Sequence, residues 1–194
     1  NTARNAGTSQ LVIPQPPLPE LIAPTVQSLV TNAAAATVTG TWPSAVAKAL
    51  TVRLGSKAYV LGTDRELSNA ADDWKLTLPS PLTDGDYDVT AEVADDAGRT
   101  ASSATPGKLT IDTVAPQVPV VSPIEATMPL KISGTWAEGD AVSLVVKLAG
   151  KIWAFGKDAA IASDGAGKWS FAPELDLKPG TYDVEVEITD RAGN

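Results

Sequence analysis

Short stretches in which apolar and polar residues alternate run along most of this chain. The segment 87–93 has an apolar residue at every second position, and so does the segment 182–188. Leu50, Val52 and Leu54 alternate with Thr and Arg in the same way. A period of two is typical of β-strands that bury one side and expose the other. The pattern therefore predicts an all-β protein built from antiparallel sheets.

The alternating segments occur twice, in the same order. Val-Thr-Gly-Thr-Trp at 38–42 recurs 94 residues later as Ile-Ser-Gly-Thr-Trp at 132–136. Gly-Asp-Tyr-Asp-Val at 85–89 recurs 95 residues later as Gly-Thr-Tyr-Asp-Val at 180–184. A register that is kept over so much of the chain indicates two homologous units in tandem.

Turn-forming residues divide each unit into many short strands rather than helices. The chain has 15 Gly and 15 Pro, and Gly55-Ser56 and Ala149-Gly150 each fit a tight hairpin loop. About seven strands in about 90 residues is the size of an immunoglobulin-like sandwich, and Gly-x-Tyr resembles the tyrosine corner of that fold. The predicted fold is two tandem immunoglobulin-like seven-strand β-sandwiches, the second lacking its last strand within this chain.

The predicted domains are 23–113 (unit one) and 114–194 (unit two), preceded by an N-terminal segment, 1–22. That segment contains a Pro-rich linker and a run, 8–13, that resembles the seventh strand of a preceding repeat. One interpretation is a piece of a longer array. A second is strand exchange, in which residues 8–13 of one copy complete unit two of another copy at an open sheet edge.

Composition excludes several function classes. The formal net charge is −8, with no basic footprint for phosphate, so nucleic-acid binding is not expected. The sequence has no Cys and no His, which excludes Cys/His zinc sites and His-based acid–base chemistry. No apolar run is long enough for a transmembrane helix, so membrane insertion is not expected. Without a nucleophile motif, a phosphate loop or a cleft, we expect no enzyme.

The repeated motifs point to a known family. Gly-Thr-Trp, Gly-x-Tyr-Asp-Val and a closing Asp-x-Ala-Gly-Asn together resemble the bacterial Ig-like repeats of giant, type I-secreted Gram-negative surface adhesins. The resemblance covers residues 23–194, although unit one ends in Arg99 where the family often has Asn. It implies an extracellular, surface-located stalk whose partners are neighbouring repeats of the same polypeptide, often stiffened by calcium between domains.

The sandwich topology brings several acidic loops to the boundary between the units. Six residues are the candidate calcium ligands there: Asp84, Asp112, Glu138, Asp140, Asp190 and Asn194. Calcium prefers six to eight oxygen ligands of this kind, and it would relieve the repulsion between facing acids. The alternative is that these are solvated loop acids, with Asp95 and Asp190 holding their own turns by side-chain hydrogen bonds.

The five Trp residues raise the question of a carbohydrate platform. The alternation places Trp42, Trp74, Trp136 and Trp169 on inner faces, so we expect core packing. Trp153, in a hairpin, is the aromatic residue whose exposure would favour glycan binding. The function predicted from sequence is a spacer that presents distal binding domains of an adhesin. The alternatives are a glycan- or protein-binding module and an accessory module of a secreted hydrolase.

Overall fold

The computed structural model describes residues 10, 13, 15–125 and 129–194, and every regular element in them is a β-strand. The strands of unit one are β1 (Leu29–Thr31), β2 (Thr37–Thr41), β3 (Ala49–Leu54), β4 (Lys57–Val60), β5 (Leu67–Ala70), β6 (Asp73–Thr77), β7 (Gly85–Ala94), β8 (Thr100–Ser102) and β9 (Gly107–Ile111). Those of unit two are β10 (Val120–Val121), β11 (Ile132–Thr135), β12 (Ala141–Leu148), β13 (Lys151–Ala154), β14 (Ile161–Ser163), β15 (Lys168–Phe171) and β16 (Val184–Asp190). The all-β prediction is confirmed.

Unit one is a sandwich of two sheets. One sheet has the order β1-β9-β7-β3-β4 with β8 also on β7, and the other has the order β2-β6-β5. The first strand changes sheets: the amides of Thr25 and Gln27 donate to β2, and β1 then pairs in parallel with β9. The chain thus ties the two sheets together along one edge.

The last strand of unit one is split, which the alternation of apolar residues did not indicate. The two pieces, β8 and β9, both pair with β7 but are separated by residues 103–106. Pro106 lies in this gap and has no amide hydrogen to donate to a ladder. The strand therefore leaves the sheet edge and rejoins it at Gly107, which is buried against Val26.

Unit two repeats the same plan with fewer strands. Its sheets have the orders β10-β11-β15-β14 and β13-β12-β16. The pairing of β12 with β16 corresponds to that of β3 with β7, and it carries a bulge between Ala141 and Ser143. Among the described residues of unit two, no strand occupies the position that β9 has in unit one.

A Trp packed on a Gly forms the centre of each unit. Trp74 and Trp169 are buried, and they stand directly opposite Gly40 and Gly134 on the paired strand. The ring lies over the Gly, and the carbonyl of the first strand approaches the Gly Cα from the same side. No side chain fits in this space, which explains why a Gly recurs at this position in both units.

The two Trp residues differ in their polar contacts. The Trp74 indole N–H donates to the Thr25 carbonyl at 3.1 Å, and that of Trp42 donates to the Ala71 carbonyl at 3.1 Å. The equivalent nitrogens of Trp136 and Trp169 are buried without a hydrogen-bond partner among the described atoms. A buried donor without a partner costs about 1–3 kcal/mol of folding free energy. Unit one avoids this cost at both Trp residues, and unit two does not.

Several local predictions are confirmed. All four Trp residues expected in the cores are buried, and both hairpins close where the turn residues indicated, at Leu54–Lys57 and Leu148–Lys151. The tyrosine corner is present twice: Tyr87 donates to the Thr83 carbonyl at 2.8 Å, and Tyr182 donates to the Lys178 carbonyl at 3.0 Å.

We predict that Gly134→Ala destabilises unit two by about 1–3 kcal/mol, the usual cost of overpacking a core. A Cβ at this position would lie under 3.0 Å from the Val120 carbonyl and the Trp169 ring, so backbone or ring must shift. Thermal unfolding followed by tryptophan fluorescence measures the loss. Ser133→Ala, one residue earlier on the exposed side of β11, is the matched control and should change stability by less than about 0.5 kcal/mol. Equal losses in the two variants would contradict the packing argument.

Candidate functional site

A buried carboxylate closes the turn that follows the long strand of each unit. In unit two, Asp190 ends β16 and its Oδ1 accepts hydrogen bonds from the amides of Gly193 and Asn194 at 2.8 and 2.9 Å. In unit one, Asp95 follows β7 and its Oδ1 accepts from the amides of Ala97 and Arg99 at 3.0 and 2.9 Å. The Asp side chain thus accepts hydrogen bonds from turn amides that have no partner strand.

The last side chain of the turn connects this carboxylate to the preceding linker. Asn194 Nδ2 donates to Asp190 Oδ2 at 2.9 Å and to the Asp112 carbonyl at 2.7 Å. Arg99 does the same in unit one: its Nε donates to Asp95 Oδ2 at 2.6 Å, and its Nη2 donates to the Pro19 carbonyl at 2.7 Å. We call this arrangement the linker bridge. It occurs once per unit, with a different donor residue in each.

In unit two the linker bridge joins two domains, because Asp112 belongs to the end of unit one. A second hydrogen bond lies beside it, from the Asn32 amide to the Ala192 carbonyl at 3.0 Å. Ala192 is 8% exposed, whereas the equivalent Ala97 of unit one is exposed. The difference shows that the closing turn of unit two is covered at the boundary between the units.

Electrostatics favour the charged form of both carboxylates. The Asn194 side-chain hydrogen bond is the main reason that the pKa of Asp190 lies below its usual value, and backbone amides add to it against the effect of burial. Burial alone would raise the pKa of Asp95, but hydrogen bonds from the backbone and guanidinium of Arg99 outweigh it and the pKa is lowered. Each bridge is therefore built around an ionised Asp.

The linker itself is held on unit one. Thr113 donates from its amide and its hydroxyl to the Asp84 carboxylate, at 3.1 and 2.9 Å. Asp112 Oδ1 accepts a hydrogen bond from the Val114 amide at 3.1 Å. Asp84, placed at this end of the sandwich by the sequence analysis, thus orients the linker, and its carboxylate faces Thr113.

The other acids at the boundary serve their own loops. Glu138 accepts from the Ser163 hydroxyl at 2.8 Å and from the Gly167 amide at 2.7 Å, which fastens one loop of unit two to another. Asp164 accepts from the amides of Ala166 and Lys168, so its role is also within a turn. Asp140 is exposed.

These contacts bear on the predicted calcium ligands. Of the six, the structure joins Asp112, Asp190 and Asn194 in one hydrogen-bonded group, with the NH₂ of Asn194 between two oxygens. Calcium needs six to eight oxygen ligands, and the described residues contain no group of three or more acidic side chains placed to hold a metal. In unit one a guanidinium stands at the equivalent point. In this arrangement the donor set does not form a calcium cage, and calcium binding stays a prediction from the sequence.

The residues that the sequence analysis missed are Arg99, Asn32 and the carbonyl of Ala192. Arg99 carried a usable signal, since it departs from the family motif at the position of Asn194. The other two act through main-chain atoms, which side-chain patterns do not report. The sequence predicted that the Asp holds its own turn, but it did not predict which residues of unit one contact that turn across the boundary.

Trp153 is half-buried and packs edge-on against Phe171, with ring centroids 4.9 Å apart. A shallow recess of about 360 Å³ lies next to it, lined by Asp158 and Glu174 among others. The Trp153 side chain is therefore partly engaged with the core of unit two and partly exposed at the recess.

The comparisons with known proteins agree with this architecture. The model of the bacterial Ig-like domain family matches residues 25–113 and 124–194. The chain belongs to that family. Domains of this family are typically extracellular or surface-located and non-catalytic. None of the curated proteins compared with the chain matches it. No helix in the described residues has the length and apolar character needed to cross a membrane.

Three solved structures are similar to the chain over most of its length. The FN1-FN3 domains of chicken CNTN1 are 15% identical, with a TM-score of 0.49, over 91% of this chain and 63% of that one. A tetra-tandem repeat in the extending region of a large adhesion protein is 21% identical, with a TM-score of 0.36, over 89% and 46%. A chimeric titin Z1Z2 tandem is 13% identical, with a TM-score of 0.35, over 87% and 90%. The chain thus spans about half the length of the adhesion-protein structure.

We predict that acid weakens unit two through Asp190. Because the folded-state pKa is lowered, the contribution to stability is present above the unfolded value of about 3.9 and is lost as pH falls through the folded pKa. Asp190→Asn should lower the melting temperature at neutral pH, and the gap to the wild type should close below about pH 4. Asp140→Asn, at an exposed position, is the control and should leave the profile unchanged. A gap that stays constant with pH would contradict this role.

Proposed function

We propose that the two domains are a spacer in a bacterial cell-surface adhesin, and that the linker bridge sets the angle between successive domains. Membership of the bacterial Ig-like family supports a structural or adhesion-related module. The observation that carries the spacer role is the Asn194 hydrogen bond to the Asp112 carbonyl.

A spacer needs domains that fold independently and that are joined by a short, rigid linker. Each unit has its own core, centred on Trp74 in unit one and on Trp169 in unit two. Arrays in which a domain contacts mainly its neighbours gain length by adding units. The linker between the two cores is short and fixed at both sides, by Asp84 on Thr113 and by Asn194 on Asp112.

Repetition of the bridge supports the proposal further. Arg99 carries the same contact to Pro19, the residue that leads into unit one. In both units, therefore, the turn after the long strand is hydrogen-bonded to the linker that precedes the unit. A device that recurs at the leading end of each unit is suited to keeping a constant geometry along an array.

A ligand-binding module is the second candidate. The observation in its favour is the recess beside Trp153, Asp158 and Glu174. Because the Trp153 ring packs on Phe171, a ligand there would meet the two carboxylates and only the exposed part of the indole. Titration with acidic and neutral oligosaccharides, followed by Trp fluorescence, tests it, and Trp153→Ala should abolish any binding at this recess.

We predict that Asn194→Ala broadens the distribution of interdomain angles without unfolding either domain. The variant removes the donor to Asp112 and leaves both cores intact. Small-angle scattering together with distances between spin labels on the two units measures the spread, and the expected result is a wider distance distribution than in the wild type.

Two further variants make this experiment specific. Asn194→Arg should keep the wild-type distribution, because Arg performs the same role at position 99. Arg99→Ala breaks the equivalent bridge on the other side of unit one and should leave the angle between the units unchanged. Equal distributions for Asn194→Ala and the wild type would overturn the proposed bridge.

The same measurement with calcium and with chelator addresses the family's metal chemistry. We expect no change between the two conditions, since hydrogen bonds from Asn194 and Asn32 already close the boundary. A narrower distribution and a higher melting temperature with calcium would instead support the metal site predicted from the sequence, and Asp112→Asn would then abolish the effect.

A further inference from the structure

The hairpin strands β4 and β13 each form one edge of a sheet. Each pairs with a single neighbour, β3 in unit one and β12 in unit two, and no second strand pairs with either of them among the described residues. A strand edge of this kind presents main-chain donors and acceptors that can pair with an edge of another molecule.

These edges differ from the one for which the sequence analysis predicted strand exchange. That exchange involves unit two and residues 8–13, of which 8, 9, 11 and 12 lie outside the described residues. It stays a prediction. The strand β13 lies on the opposite side of its sheet from β16.

The hairpin register identifies the main-chain groups that face outward. Just after β4, the Leu61 amide donates inward to β3 at 3.0 Å. Inward and outward groups alternate along a strand of an antiparallel pair, so the amides and carbonyls of Val60 and Ala58 face outward. The strand β13 has the same register on β12, and its outward groups belong to Ala154 and Ile152.

An aspartate closes the last outward residue of each edge. The Val60 amide donates to Asp64 Oδ2 at 2.7 Å, and the Asp64 amide donates to the Val60 carbonyl at 2.9 Å. In unit two the Ala154 amide donates to Asp158 Oδ2 at 2.7 Å, and the Asp158 amide donates to the Ala154 carbonyl at 3.0 Å. The Asp thus satisfies both groups that another strand would use.

The same turn places this Asp in both units. Gly62-Thr63-Asp64 recurs 94 residues later as Gly156-Lys157-Asp158. The two glycines have φ angles of 82° and 78°, a conformation that Gly adopts readily, and the chain turns back there onto its own strand. With the Asp in place, an incoming strand finds the outward groups of only one residue, Ala58 or Ile152.

We propose that Asp64 and Asp158 prevent copies of the chain from pairing side by side through β4 and β13. Repetition of a domain multiplies the edges that can pair, and one Asp in each domain closes its own edge. This role concerns the sides of the domains and is independent of the linker bridge, which acts between successive domains.

The edge of unit two has the greater tendency to associate once it is opened. Ile152, in the middle of β13, is 66% exposed, whereas Val60 on β4 is 38% exposed and Ala58 is half-buried. A β-branched apolar side chain on an accessible edge favours strand pairing. Loss of Asp158 should therefore have a larger effect on association than loss of Asp64.

Amide hydrogen exchange, followed by NMR at a concentration where all variants are monomeric, tests the hydrogen bond itself. The Ala154 amide should be protected in the wild type and should lose its protection in Asp158→Ala. The Phe155 amide, which donates to the Leu144 carbonyl, should keep its protection in both proteins. Asp158→Asn should protect Ala154, since its side-chain oxygen still accepts a hydrogen bond. Equal exchange of Ala154 in the wild type and in Asp158→Ala would contradict the proposal.

Sedimentation of the full chain tests the effect on association. The average mass of Asp158→Ala should rise with concentration above that of the wild type. Asp140→Ala is the matched control, because it removes the same charge from an exposed loop of unit two, and it should sediment like the wild type. Adding Ile152→Lys to Asp158→Ala should restore the wild-type mass, since Lys on an edge strand opposes pairing.

Asp64→Ala provides a second test in the other unit. It should remove the protection of the Val60 amide and should associate less than Asp158→Ala. Circular dichroism at each concentration identifies folded samples, and only these are compared. If Asp158→Ala and Asp140→Ala have equal masses at every concentration, or if Ile152→Lys does not reverse the association, the proposed role of the aspartates is wrong.

Discussion

An ionised carboxylate at the end of the long strand is the contact on which the arrangement of this protein depends. Asp95 and Asp190 each gather the amides of their own turn, and each thereby orients one side-chain donor toward the linker that precedes the unit. Because the carboxylate is enclosed by donors, it stays charged, and its hydrogen bonds are stronger than those between neutral groups. The turn and the domain boundary are consequently a single structure.

The two copies of this device show how one geometry is reached with different chemistry. Arg99 brings a positive charge and a long side chain, whereas Asn194 brings a neutral amide on a short one. Both satisfy the Asp and a linker carbonyl at once. In each unit, hydrogen bonds from this one side chain join the ionised Asp to the preceding linker.

The cores and the edges of the units behave differently. In the cores, equivalent residues make the same contacts in both units. A Trp packs over a Gly on the paired strand, and a Tyr forms a tyrosine corner. At the edges the described strands differ: β7 pairs with both β3 and β9, whereas β16 pairs with β12. Independent packing is what an array of repeated domains requires, since each unit must be stable by itself.

The sequence by itself determined the strand content, the repeat, the two hairpins and the burial of the four core Trp residues. These depend on local alternation and on turn chemistry, which are properties of neighbouring residues. It also identified Asp190 and Asn194 as members of one motif. The tertiary structure alone decided that the first strand changes sheets, that the last strand of unit one is split at Pro106, and that Asn194 reaches Asp112. Those outcomes depend on main-chain atoms distant in sequence, such as the carbonyl of Asp112, whose hydrogen-bonding capacity is the same in every residue and so leaves no trace in the pattern of side chains.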